Sequence, residues 1–177
     1  MIVGKEIIYF DSIDSTSDEA RRRIKGGEGE GLVVVASEQT AGRGKPGSIW
    51  HSPPGNFYLS AVIRPYRNPG ELVSLTLLSA VAVSAALGRF SDLPIVVKWP
   101  NDLMAGGKKL GGILVEGMAS GHLIIGIGVN LAIIPEDMRD RATSIYHETG
   151  KMIERDQFSA AVLQELDRFY LAYLGRF

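Results

Sequence analysis

Cysteine is missing altogether from the 177 residues. That excludes thioester intermediates, thiolate metal sites and disulfides at one stroke, and it suits a cytoplasmic protein. Neither sign of charge dominates, with 19 Lys and Arg against 20 Asp and Glu. No nucleic-acid partner is expected, because non-specific binding needs an excess of phosphate-neutralising cations. Long apolar runs are lacking as well. The start, MIVGKEIIYFDS, holds no apolar signal core. The longest uncharged run, Leu72 to Gly88, is too short to span a membrane and carries Ser74, Thr76, Ser79 and Ser84. A buried helix is expected there, and no membrane association.

What is present is ordinary for a globular protein, 45% apolar and 22% charged, in a length that can bury one core without staples. A strand is predicted over Ile7 to Phe10, followed by a helix opened by a Thr16-x-x-Glu19 capping box and closed at Gly26-Gly27. The continuous β-branched run Leu32 to Ala36 predicts a strand buried on both faces. Further strands are expected at Phe57 to Ile63, Ile95 to Trp99, 108–117 and 122–129, the last two joined as a hairpin around Ala119-Ser120-Gly121. Helices are expected from Glu71 to Phe90 and from Asp156, as N-cap, to about Leu174, with a polar connection before the last. Strands in runs, with helices not strictly alternating, predict an α+β domain whose helices back a mixed or antiparallel sheet.

Three segments carry chemistry. Residues 42–47, GRGKPG, satisfy G-x-G-x-x-G, yet the dinucleotide reading fails. Pro46 precedes the third glycine and Pro53-Pro54-Gly55 soon follows, so no helix opens there, and the first acid after the loop is Glu71. The Walker pattern fails because Ser48, not Lys, follows Gly47. What remains is an extended loop whose glycines let backbone N–H groups approach an anion. Arg43 could grip it with two bonds, Lys45 could act as a point charge, and Trp50 offers an apolar wall. A plain surface loop with solvated cations is the alternative. The second segment is KWPND (98–102) with Lys109 in KKLGGILVEG. Lys109 is either a functional cation or a solvent-facing strand end, and Asp102 could hold a metal, hold a substrate amine, or fix a turn. The third, DSIDSTS, places Ser15 and Thr16 at a helix start, where capping and ligand binding are compatible if an oxygen keeps a lone pair.

Together DSIDSTS, EQTAGRGKPGSIWHSPPGN, FYLSAVI, VVKWPNDL, GGKKLGGILVE, IIGIGVNL and RATSI, in this order, resemble the biotin–protein ligases. The resemblance implies the biotin/lipoate ligase fold, related to class II aminoacyl-tRNA synthetases. It implies two reactions: ATP and biotin, with Mg2+, give biotinyl-5′-AMP, and a lysine of a biotin carboxyl carrier domain then takes the biotin. Ser15, Thr16 and Gln39 would surround the ureido ring, with Ser17 where the family often has Asn and Gly126 contributing backbone. Trp50, Gly111, Gly112 and Leu114 would flank the bicycle and tail. Arg43, Gly44 and Lys45 would take the carboxylate and phosphates, and Lys109 would bridge carboxylate and α-phosphate. Asn101, Asn130 and the loop from Arg141 to Ser144 would lie near the adenosine. Arg43, Lys45, Lys109 and Asp102 form the catalytic set, Asp102 either orienting the acceptor amine or binding Mg2+. A homodimer through an edge strand is also implied.

The chain departs from the family in two ways. Lys45, Pro46 and Ser48 stand where well-known members carry more arginine, so a less firmly held adenylate is expected. Few residues precede DSIDSTS and the chain ends at Phe177. The expectation is one catalytic domain over residues 1–177, with neither a helix-turn-helix nor an SH3-like domain. A lipoate-type ligase and a non-catalytic biotin or biotinyl-AMP binder are the rivals. The octanoyltransferases of this fold act through a cysteine, which this chain lacks.

Overall fold

The computed structural model describes residues 1–65 and 72–175. Seven strands form one sheet: β1 (Glu6–Ile13), β2 (Leu32–Gln39), β3 (Phe57–Ile63), β4 (Val96–Lys98), β5 (Asp102–Ala105), β6 (Lys108–Gly117) and β7 (Leu123–Val129). Their order is β1-β2-β3-β7-β6-β5-β4. β1 and β2 run parallel and every other pair is antiparallel, so the sheet is mixed. The helices are α1 (Thr16–Lys25), α2 (Leu72–Leu87), α3 (Ile145–Thr149) and α4 (Arg155–Tyr173).

α1 covers one face of the sheet, where Ala20 and Ile24 meet Leu32, Val34, Val62 and Ile124. α2 and α4 pack on each other and on the opposite face, which gathers Val33, Val35, Leu59, Ala61 and Phe158. Phe158 sits edge-on against Phe57, ring centroids 4.8 Å apart. β2 and β3 are therefore sandwiched, which is why Leu32–Ala36 is apolar without alternation. α2 carries no charge, as a helix pressed between a sheet and another helix requires.

Four local expectations shift. β1 runs longer than Ile7 to Phe10. The cap of α1 is Ser15, whose side chain accepts the Asp18 N–H, while Glu19 pairs with Arg22 and Arg23 instead of closing a box on Thr16. One residue's shift has a reason: Thr16 is drawn inward to Gln39 and Ser60. α4 is capped by Glu154 without a side-chain bond, leaving Asp156 in its first turn, where a carboxylate still complements the helix dipole. β5 and α3 are additions: four residues and five are too short to leave a period in the sequence. Glu71, the expected start of α2, lies outside the described residues.

Candidate functional site

A cavity of about 250 Å3 opens over the face of β6 and β7 that α1 leaves uncovered beyond its N-terminus. Its lining draws together most of the residues singled out in the sequence: Ser15, Thr16, Ser17, Gln39, Arg43, Gly44, Lys45, Trp50, Asn101, Asp102, Lys109, Gly112, Leu114 and Gly126. Gly111 and Asn130 are not among them. Gly111 faces the other way, where a Cβ would stand 3.2 Å from Leu103 Cδ1. Asn130 is a neighbour: it lines a smaller, apolar recess of about 40 Å3, with Ile133, Ile134, Pro135 and Ala142. Trp50, Lys109 and Met138 line both spaces, so the two are contiguous.

The glycine loop is a small hairpin. Arg43 bridges Ile49, Trp50 N–H donates to Gly42 O (2.9 Å), and Ser48 N–H closes the tip on Lys45 O (2.8 Å). Pro46 followed by Gly47 at φ 82 is the signature of a type II turn, in which the third residue needs a positive φ. An anion-cradling nest is not what forms, because Gly44 N–H is spent on Ser48 O (3.1 Å). The anion-directed groups are side chains.

Of these, Arg43 is already engaged. Its two terminal nitrogens meet both oxygens of Glu116, at 3.0 and 2.8 Å, and Asp18 Oδ1 stands 3.1 Å from Nη2. Arg21 closes the cluster on Asp18 (2.6 Å) and Glu116 (3.2 Å). The fork expected to take a ligand's anion here clasps the loop to α1 and β6. Lys45, by contrast, makes no ion pair among the described residues.

Lys109 is positioned by a bulge. β5 pairs Leu103 with Gly111 but Met104 with Lys109, so Leu110 is the extra residue. Lys109 and Gly112, three apart, would otherwise point to opposite faces. With the bulge, Lys109 shares the cavity face with Gly112 and Asp102. Its Nζ lies 2.7 Å from Asp102 Oδ1 and 5.3 Å from the Trp50 ring. The backbone of Lys109 in turn holds residues 141–144, through Lys109 N–H to Arg141 O and Thr143 N–H to Lys109 O, both 2.9 Å. Asn130 donates its amide to Thr143 O (3.1 Å), fixing the same segment.

Trp50 lies flat on the cross-strand pair Gly112 and Gly128. A Cβ on Gly128 would stand 2.5 Å from Trp50 Cε2, so only glycine admits the indole there. Gly128, Ile113, Ile127, Ser48, Ile49 and Met138 line the cavity without having been singled out. The alternation of glycines in GIGVN was the available signal for Gly128. Trp50 Nε1 and Asn101 Oδ1 are buried with no hydrogen-bond partner, a donor and an acceptor in the cavity wall. Beside the cap of α1, Arg22 holds the Asp14 carboxyl down to about 2.

Chemically, three cations and one carboxylate, Asp102, line a space with a hydroxyl- and amide-rich floor and an apolar annex. That suits a ligand with a polar head and anionic groups meeting at Lys109. A built metal cage is not part of it: among the described residues no three His, Asp or Glu side chains converge. Asp102 pairs with Lys109.

The chain is similar to known proteins over most of its length. The sequence model of the biotin/lipoate A/B protein ligase family matches residues 9–130. The bifunctional ligase/repressor BirA of Bacillus spizizenii is 36% identical over 98% of this chain, which spans 56% of that protein's length. The biotin–[acetyl-CoA-carboxylase] ligase of Paracoccus denitrificans is 37% identical over 82% of this chain and 65% of its own. The biotin protein ligase from Aquifex aeolicus, solved with biotin and ATP, superposes with a TM-score of 0.86 at 34% identity, covering 97% of this chain and 72% of that one.

Proposed function

The chain belongs to the biotin/lipoate A/B protein ligase family, and from that premise we propose that it activates biotin with ATP as biotinyl-5′-AMP and delivers the biotin to a lysine of a biotin carboxyl carrier domain. The observation that carries the reading is Lys109, one cation lining both the polar cavity and its apolar annex. A carboxylate in the first space and a nucleotide phosphate arriving from the side of the second would meet at its ammonium.

In the first step a biotin carboxylate oxygen attacks the α-phosphorus and the bond to pyrophosphate breaks. No general base is required, since a carboxylate with pKa ~4–5 is already ionised. The obstacle is repulsion between two anions, and Lys109 and Lys45 offset it in a cavity whose apolar wall includes Trp50 and Leu114. Ser15, Thr16, Ser17 and Gln39 line the end that takes the ureido head, Gly112 and Gly126 permit close approach along the strands, and Asn101 Oδ1 supplies an acceptor. Asn130 shapes the adenosine side through residues 141–144. Magnesium would come with the nucleotide as part of the substrate and would supply charge to offset its phosphates.

In the second step the acceptor amine, having given one proton to water, attacks the acyl carbon; the bond from that carbon to the AMP oxygen breaks, AMP leaves, and a second amine proton passes to water. A lysine starts near pKa ~10.4, and Asp102, the sole carboxylate lining the cavity, orients it and favours its approach. A cytoplasmic setting and a homodimer through an edge strand, β1 or β4, belong to the same proposal. Among the described residues no helix is long and apolar enough to cross a membrane.

The test is ATP–pyrophosphate exchange by the purified chain with biotin, lipoate or octanoate. Exchange with biotin alone supports the reading. Exchange with lipoate would reassign the substrate. Biotin binding without exchange would make the chain a binder.

A further inference from the structure

Under the floor of the cavity lies Ser60, at the middle of β3, fully buried and not part of the lining. Its Oγ is 2.8 Å from Thr16 Oγ1 and 2.9 Å from Ser17 Oγ. Distances alone leave the direction of these bonds open, but one end of the chain is fixed. Thr16 N–H meets Gln39 Oε1 at 2.8 Å, and a backbone N–H can only donate, so that atom is the amide oxygen. The Thr16 hydroxyl donates to the same oxygen at 3.1 Å. Its proton spent, Thr16 accepts from Ser60. Ser60, its own proton spent, accepts from Ser17.

The order of donation is thus Ser17 to Ser60 to Thr16 to Gln39. Ser17, which does line the cavity, is left there with lone pairs only. Ser15 has the opposite polarity: its Oγ accepts the Asp18 N–H (3.4 Å), so its proton remains to be donated. On its far side Gln39 donates Nε2 to Ser52 (2.9 Å), which donates to Trp50 O (2.9 Å). The same chain therefore ends on the loop that walls the site.

We propose that Ser60 is a positioning residue that sets the hydrogen-bond polarity of this site, making Ser17 an obligate acceptor for a ligand N–H beside the donor Ser15. This rests on the biotin reading, and it deepens it: a cyclic urea presents an N–H next to a C=O, the complement of an acceptor next to a donor. A ligand of the same shape with oxygen in place of the N–H would set lone pair against lone pair. Rejection of such an isostere by a built polar site runs to roughly 100-fold or more.

The experiment measures calorimetric affinities of the whole chain for biotin and for the two cyclic carbamates in which one ureido N–H is replaced by oxygen. Wild type is expected to prefer biotin over one of them by roughly 100-fold. In Ser60→Ala, Ser17 can turn its hydroxyl toward the ligand, and that preference is expected to fall below about 10-fold while the KM for ATP stays unchanged. Ser17→Ala, which leaves the Ser60–Thr16–Gln39 links intact, should lose the preference too and guards against a misfolded Ser60 variant. A preference kept within twofold of wild type in either folded variant overturns the proposal. A wild-type chain that binds no biotin is a separate result: it overturns the parent reading, and the proposal falls with it.

Discussion

Replacing Lys109 by Ala separates a catalytic role from a structural one. Lys109 and Asp102 form a 2.7 Å pair, but Lys109 is 36% exposed and Asp102 20%. A pair so accessible to water contributes about 1 kcal/mol or less to stability. For a chain of this length that corresponds to a fall in Tm of about 2–4 °C. The loss in rate should be far larger. If Lys109 neutralises charge that develops between carboxylate and α-phosphate, removing it resembles removal of one preorganised oxyanion donor, about 3–4 kcal/mol, or roughly 10²–10³-fold. Thermal melting and biotin-dependent pyrophosphate exchange on the same preparations provide both numbers. The expected result is exchange reduced at least 100-fold with Tm lowered by no more than about 4 °C. Exchange within about 10-fold of wild type would refute the idea that two anions meet at this ammonium. A large loss of stability would show that the bulge at Leu110 depends on the ion pair, and the catalytic inference would then have no support from this variant.

Other substitutions probe the rest of the wall. Gly128→Ala drives a methyl into the Trp50 indole, so the indole must leave its seat; a loss of about 1–3 kcal/mol in chemical denaturation and a biotin KM raised roughly 10-fold are expected. Glu116→Gln removes the carboxylate that Arg43 grips with two bonds; the loop at 42–49 should exchange amide hydrogens faster, and biotinyl-AMP should leave about 5-fold faster, in line with about 1 kcal/mol for a partly exposed pair. Lys45→Arg restores a bidentate donor, and rapid-filtration measurements should find the adenylate retained several-fold longer. Asp14 has its folded pKa lowered from 3.8 to about 2, so its contribution is present above pH 3.8 and is lost as pH falls through about 2. The Arg22 pair is about half exposed, so Asp14→Asn should cost under about 1 kcal/mol at pH 7 and progressively less as pH falls through about 2, as acid-range denaturation curves would reveal.

Much of this was legible along the chain. The β-branched run at 32–36 predicted a doubly buried strand, and the proline after Lys45 ruled out a phosphate-binding helix, because each rests on local stereochemistry. The cap of α1 was misplaced by one residue for a non-local reason: Thr16 is claimed by Gln39 and Ser60, from two other strands. The two-bond pairing of Arg43 with Glu116 left no local signal, because the partner is 73 residues away. Gly111 and Gly112 read alike as close-approach glycines, yet they alternate across the sheet and only the second faces the cavity.

By itself the sequence determined which chemistry is absent, that the apolar runs make a mixed α+β layer structure, and which residue types converge on anions. Those follow from composition, period and turn stereochemistry, all read over a few neighbouring residues. Only the tertiary structure decided that Leu110 bulges and turns Lys109 toward the cavity, that Arg43 pairs with Glu116 while Lys45 makes no ion pair among the described residues, and that Ser60 orients the hydroxyls of Thr16 and Ser17. Each of these depends on strand register or on a partner distant in the chain, and register is settled by the packing of the whole sheet.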